Sequence, residues 1–129
     1  LGLQNGGSND FITDLEQAGN GDLYAAINGS GVYKSAAGPG QGLPGNWTRL
    51  TATGFQSGFD RIELAVGHSN SNYVYAICEV NNQSSPVYRS TNGGTTWSNV
   101  TNVAPYAGAG TLTLTVSNVP LSMKGFVID

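Results

Sequence analysis

Acid–base chemistry in this chain would fall to few side chains, since Lys, Arg, Asp and Glu make up 10% of its 129 residues, with one His and one Cys. Asp10 and Asp60 stand out because each precedes a matching apolar run, Phe11-Ile12-Thr13-Asp14-Leu15 and Arg61-Ile62-Glu63-Leu64-Ala65. Two such carboxylates, brought together by a repeat, form an acid and base pair or bind Ca²⁺ with loop carbonyls. Taken singly, each caps a turn, the commoner use of Asp. Asn28, in Asn28-Gly29-Ser30, and Tyr106, between Pro105 and Gly108 in an expected loop, are the candidate ligand-contacting residues. His68 lies in the turn Gly67–Asn72 with no second His or nearby Cys in sequence, a poor metal site, so no metal or cofactor is expected. Cys78 ends the apolar run Val74-Tyr75-Ala76-Ile77-Cys78 and reads as a small buried hydrophobe. Its neighbour Glu79 opposes a thiolate.

The elements that must position these residues are strands and tight turns. In Ser90-Thr91-Asn92-Gly93-Gly94-Thr95-Thr96-Trp97, the Asn-Gly and Gly-Gly steps supply positive φ between two strand-like runs. Ser90 and Asn92 can bond backbone amides within the turn, and Trp97 can lay its indole across the hairpin base. Four runs recur. Phe11–Leu15 matches Arg61–Ala65, Leu23–Ile27 matches Val74–Cys78, Gly31–Ser35 matches Pro86–Ser90, and Asn46–Leu50 matches Thr96–Val100, at offsets of 50, 51, 55 and 50 residues. Each unit reads as four short strands, and the length differences fall in loops. The first unit keeps Ser35 and Trp47 but replaces the compact turn with the longer Gly/Pro loop Ala36–Gly45. After the second unit and an expected loop over Thr101–Gly110, Thr111–Val116 alternates strictly and predicts either the first strand of a third unit or a closing strand paired with the start of the chain. Repeated aromatics, Tyr24 with Tyr75, Tyr33 with Tyr88 and Trp47 with Trp97, read as core between units.

The order of residues in Ser90–Trp97 resembles the Asp-box of sialidase-type β-propellers, Ser-x-Asp-x-Gly-x-x-Trp, with Asn92 at the usual Asp. The structural residues of the box are then Ser90, Asn92, Gly94 and Trp97, with Ser35 and Trp47 in the first unit. The resemblance spans residues 9–118 and implies an all-β fold of propeller blades: blade one about 9–54, blade two about 59–104, and a third blade or closing strand over 110–129. Because a ring needs roughly 4–8 blades, it implies a segment of a larger propeller, or else a ring closed by oligomerisation, as in small two-blade lectins. A β-sandwich that mimics the repeat is the remaining alternative. The box marks fold and not catalysis. Sialidases hold their substrate's carboxylate with three arginines, one in Phe/Tyr-Arg-Ile-Pro; here Phe59-Asp60-Arg61-Ile62-Glu63 has an inserted Asp and no Pro, and Arg49 and Arg89 fall on outer strands. The xyloglucanase-like glycoside hydrolases carry a catalytic Asp where Asn28 stands, and an amide cannot act as general base. The resemblance therefore implies a non-catalytic binding or scaffold module that contacts glycan or protein through blade-face loops. Its alternatives are a glycoside hydrolase fragment, with Asp10 and Asp60 as candidate carboxylates, and a self-assembling lectin.

Composition narrows the partners. The formal charge of −3 leaves no basic stripe for nucleic acid or an anionic membrane surface. No apolar run approaches the ~20 residues of a membrane-spanning helix. There is no Gly-Lys-Ser/Thr phosphate loop. The chain begins at Leu1 without a signal sequence, which predicts a processed protein or an excised portion of a longer one. Four Asn-x-Ser/Thr patterns, at Asn28, Asn46, Asn82 and Asn99, are compatible with the secreted or cell-surface location that the resemblance implies.

Overall fold

Alternation along the matched runs puts every second residue on one face of a sheet, and their Val, Ile, Leu and Tyr content suits the pleated strand. A computed structural model describes residues 11–50, 54–55, 58–101, 106–107 and 115–116, with the backbone alone at 83–85, 106–107 and 115–116. Among these residues there are strands and turns and no helix, hence no helix long and apolar enough to cross a membrane. Strands β1 (Ile12–Gln17), β2 (Leu23–Ile27), β3 (Gly31–Ser35) and β4 (Thr48–Arg49) form one antiparallel sheet in chain order. Strands β5 (Arg61–Val66), β6 (Val74–Val80), β7 (Gln83–Ser90) and β8 (Ser98–Asn99) form a second with the same order. The expectation of two four-stranded units holds.

A third pairing joins β9 (Tyr106–Ala107) to β10 (Thr115–Val116), antiparallel. The described end of the alternating run Thr111–Val116 is thus a strand. Its partner lies in a segment that reads as a loop from sequence, and Tyr106 sits on a strand rather than in that loop. Residues 1–10, the alternative partner, lie outside the described residues.

Register sharpens the repeat. Ile12 faces Ile27 as Ile62 faces Cys78. A bulge between Ile12 and Asp14 then shifts the first sheet, so that Leu15 faces Ala25 as Leu64 faces Ala76. Leu15 is therefore the counterpart of Leu64, not of Ala65 as simple alignment has it. A bulge bends and twists a strand locally, and here it re-aims Thr13 and Asp14.

The two sheets stack with opposite faces together. Tyr24, Ala26 and Val32 of the first sheet join Ile62, Leu64, Val66, Val74, Ala76, Cys78, Tyr88 and Trp97 of the second in one core, completed by Phe55 and Phe59. The first-sheet counterparts of that second-sheet face point away from this core. Ala25, Ile27 and Tyr33 form a separate buried cluster with Trp47 packed on it. On the same far face Ile12 and Leu15 are 41% and 54% exposed, whereas their counterparts Ile62 and Leu64 are 0% and 6% exposed. The contact is head-to-tail: one kind of face meets the other kind, and the contact does not close on itself.

Different chemistry joins the sheets at their two ends. At the β1–β5 side the Thr13 hydroxyl donates to the Ile62 carbonyl (2.8 Å), and the Leu64 N–H donates to Asp14 Oδ2 (2.6 Å). These side chains occupy the free hydrogen-bonding edge of β5, which would otherwise lie open to another strand. Towards β7 and β8 the space is filled by rings instead. Phe55 lies 4.5 Å from Tyr88, 5.1 Å from Trp97 and 5.6 Å from Phe59 between ring centroids.

Candidate functional site

The turn between β7 and β8 is built by its own polar side chains. Ser90, 1% exposed, accepts from the Gly94 N–H (2.8 Å) and the Asn92 N–H (3.3 Å), and its hydroxyl donates to Asn92 Oδ1 (2.9 Å). Asn92 Oδ1 also accepts from the Thr96 N–H (2.9 Å), while Nδ2 donates to Thr96 Oγ1 (2.8 Å). Gly93 and Gly94 take φ of 66° and 88°, and a Cβ on Gly94 would lie 2.5 Å from Leu50 Cδ1. The positive φ favours glycine at Gly94, and any larger residue would also have to push the end of the Leu50 side chain aside.

Trp97 departs from the expectation that its indole lies across its own hairpin. The ring is 6% exposed and faces Phe55, and Nε1 donates to the Leu50 carbonyl of the first unit (2.8 Å). The Tyr24 hydroxyl returns the link by donating to the Gly93 carbonyl (3.3 Å). This turn is thus a clasp between the sheets, with every polar side-chain bond just described directed at structure.

The corresponding place in the first sheet is open. Twelve residues separate Ser35 from Thr48, against seven between Ser90 and Ser98. Ser35 keeps its role, accepting from the Gly42 N–H (2.9 Å). Trp47 turns inward on its own loop, with Nε1 donating to the Gly42 carbonyl (3.2 Å). Three successive turns, Gln41 N–H to Gly38, Leu43 N–H to Gly40 and Asn46 N–H to Leu43, each at 3.1 Å, shape the extra residues. Gln41 Nε2 donates to the Gly21 carbonyl (2.6 Å), and Asn46 Nδ2 donates to the Gly40 carbonyl (2.7 Å). A shallow depression of about 370 Å³ results, with Ser35, Pro39, Gln41, Asn46 and Thr48 in its lining.

Beside it lies a charge pair that sequence reading missed. Lys34 Nζ meets Asp22 Oδ2 at 2.7 Å and stands 5.7 Å from the centre of the Tyr24 ring. Asp22 also accepts from the Ala37 N–H (2.9 Å) and from Asn20 Nδ2 (3.0 Å). Burial pushes the Asp22 carboxyl up, but these donors outweigh it and hold its pKa below the ordinary 3.8. For Lys34 burial works downward, and Asp22 and Tyr24 outweigh it, leaving the ammonium above 10.5. Burial raises the Tyr24 hydroxyl above 10.0. The signal was available only through register: Tyr24 faces Lys34 across β2 and β3, which brings Lys34 beside the residue preceding β2.

The other predicted residues are dispersed. Asp60 is exposed; its Oδ2 accepts from the Asn81 N–H (2.7 Å) and its own N–H bonds the Glu79 carbonyl (2.9 Å). It thereby caps the β6–β7 turn, where Asn81 and Asn82 take φ of 53° and 60°. Asn28 is half-buried in the β2–β3 turn, and its N–H donates to the Phe11 carbonyl (2.9 Å). Asp10 and the side chain of Tyr106 lie outside the described residues, so the proposed Asp10–Asp60 pairing falls there too. His68 is exposed in the β5–β6 turn, whose backbone abuts Gly19. Cys78 is fully buried, and burial pushes its thiol up to about 12. Among the described residues no cluster of three or more His, Cys, Asp or Glu side chains comes together as a metal site. Comparison of the chain with protein-family models, curated proteins and solved structures gave no match.

Proposed function

We propose that this chain is about two blades of an Asp-box β-propeller and acts as a non-catalytic binding or scaffold module of a secreted or cell-surface protein, meeting glycan or protein through its loops. The observation that carries the reading is the head-to-tail stacking of two register-matched sheets, clasped by the Ser90–Trp97 turn. A heterologous contact of this kind propagates from unit to unit and builds a ring where its rotation closes. Hydrogen-bonding side chains at the β1–β5 side and large rings towards β7–β8 suit wedge-shaped blades around an axis. The non-catalytic part rests on Asp60, whose described bond is a turn cap, and on the amide at Asn28.

The test is turnover. Incubated with xyloglucan and with sialylated oligosaccharides, the protein is expected to release no reducing ends and no sialic acid. Release that disappears in Asp60→Asn would establish a glycoside hydrolase instead. A second reading, a small self-assembling lectin, is favoured by the exposure of Ile12 and Leu15 on the far face of the first sheet.

A further inference from the structure

We propose that the depression in the expanded β3–β4 turn is a binding site for a neutral, hydroxyl-rich ligand of the saccharide class. The proposal deepens the binding-module reading and rests on it.

Its lining holds no ionisable side chain: Ser35, Ala36, Ala37, Pro39, Gly40, Gln41, Gly45, Asn46 and Thr48. A charged ligand would leave its counter-charge unmatched there, whereas hydroxyl groups need acceptors and donors of the amide and hydroxyl kind. The two amides are fixed the right way round. Gln41 Nε2 reaches the carbonyls of Gly21 (2.6 Å) and Ser35 (3.4 Å), and Asn46 Nδ2 reaches that of Gly40 (2.7 Å). Since carbonyls only accept, the NH₂ ends must face them, which leaves Gln41 Oε1 and Asn46 Oδ1 as oriented acceptors with no protein partner among the described residues. Oriented acceptors held before a ligand arrives reduce the entropy lost on binding. The exposed Thr48 hydroxyl adds a group that donates or accepts, and the exposed Pro39 ring offers an apolar patch to a sugar C–H face.

Comparison between the two units supports a purpose beyond folding. Both turns use a buried serine to hold a loop N–H, and the second does so with five fewer residues while closing its amide on Thr96. The extra residues of the first turn are therefore not required to reverse the chain. They create a volume of about 370 Å³, at the small end of ligand pockets and suited to one sugar ring.

Titration of the ¹⁵N-labelled chain with glucose, galactose, mannose, N-acetylglucosamine and a xyloglucan oligosaccharide, with N-acetylneuraminate and sulfate as anionic comparators, tests the site. At least one neutral saccharide is expected to shift amides within residues 36–48, saturating in the millimolar range. Thr48→Val should weaken that binding at least threefold, and Ala36→Trp, which fills the depression from an exposed position, should abolish it. Both variants should melt within a few degrees of the parent. Shifts confined to other loops, such as residues 28–30 or 59–60, overturn this site while leaving the binding module standing. Preference for an anion, or no shift with any neutral sugar, overturns the proposal outright. The module reading itself fails separately, on turnover.

Discussion

Ser90 shows how one buried hydroxyl organises a whole turn, since it is both acceptor for two backbone N–H groups and donor to Asn92. Ser90→Ala leaves the buried Gly94 N–H without that acceptor, a loss of about 1–3 kcal/mol, measured as a shift in the urea midpoint at constant slope. Asn92 behaves differently because it is exposed and its Oδ1 does the accepting. Asn92→Asp keeps both bonds to Oδ1 and lets Thr96 reverse its hydroxyl to donate. It is expected to be neutral or to stabilise by up to about 1 kcal/mol through charge-assisted bonds, whereas Asn92→Ala loses about 1 kcal/mol. Cys78 gives a second readout at this scale. Fully buried and with its thiol pushed up to about 12, it should not react with a disulfide reagent at pH 8 until the protein unfolds. Because its folded pKa lies above the ordinary 9.0, its contribution is complete below pH 9 and is lost as pH rises from there towards 12. Rapid labelling of the native protein at pH 8 would contradict its placement in the core.

One missing side chain limits how closely the two sheets approach, and one ion pair ties two strands within the first sheet. A Cβ on Gly19, in the β1–β2 turn, would lie 1.8 Å from the His68 carbonyl, which forces the two turns apart. Gly19→Ala is therefore expected to cost about 1–3 kcal/mol, read by thermal melting. Lys34, on β3, secures the start of β2 through Asp22, which is 7% exposed. Lys34→Met leaves that carboxylate only the Ala37 N–H and the Asn20 amide as donors and should cost about 1–3 kcal/mol at pH 7. Asp22 has a depressed pKa, so its contribution is present above about pH 3.8 and is lost as pH falls further. Lys34 has a raised one, so its contribution is present below about pH 10.5 and is lost above it. The penalty of Lys34→Met should accordingly shrink below pH 4; a pH-independent penalty would mean that the pair stabilises nothing. The repeat and the eight strands of the two sheets were legible because stacked copies must present the same apolar residues at the same register. Ser90, Asn92 and Gly94 were legible because short polar side chains and positive φ have local consequences. The bulge at Thr13, the Asp22–Lys34 pair and the reach of Trp97 to Leu50 were not, because each depends on which backbone lies opposite. The depression was not legible for a related reason: a long Gly/Pro loop carries no periodicity that shows how its turns meet in space.

At the scale of the whole molecule, the asymmetry between the two faces of the first sheet sets what the chain does next. Its near face is filled by the second sheet, while Ile12 and Leu15 on its far face remain 41% and 54% exposed, beside the buried Ala25–Ile27–Tyr33 cluster. The register-matched face of the second sheet shows what such a surface accepts, since Ile62 and Leu64 are covered there by Tyr24, Ala26 and Val32. Under the propeller reading, the far face takes another blade, contributed by more polypeptide or by a second copy. Burying Leu15 fully would return about 1–2 kcal/mol from its exposed half and its neighbours, so a single charge should be decisive. The chain alone is expected to associate with rising concentration, seen by light scattering on a sizing column. Leu15→Glu should lower that association at least tenfold, yet change the monomer's stability by less than about 0.5 kcal/mol, because the exposed side chain contributes little there. If association persists in Leu15→Glu, the copies meet elsewhere and the head-to-tail contact does not propagate. If Leu15→Glu instead melts the monomer cooperatively lower by several degrees, this face is already covered within the chain, and the open end of the stack lies on the second sheet.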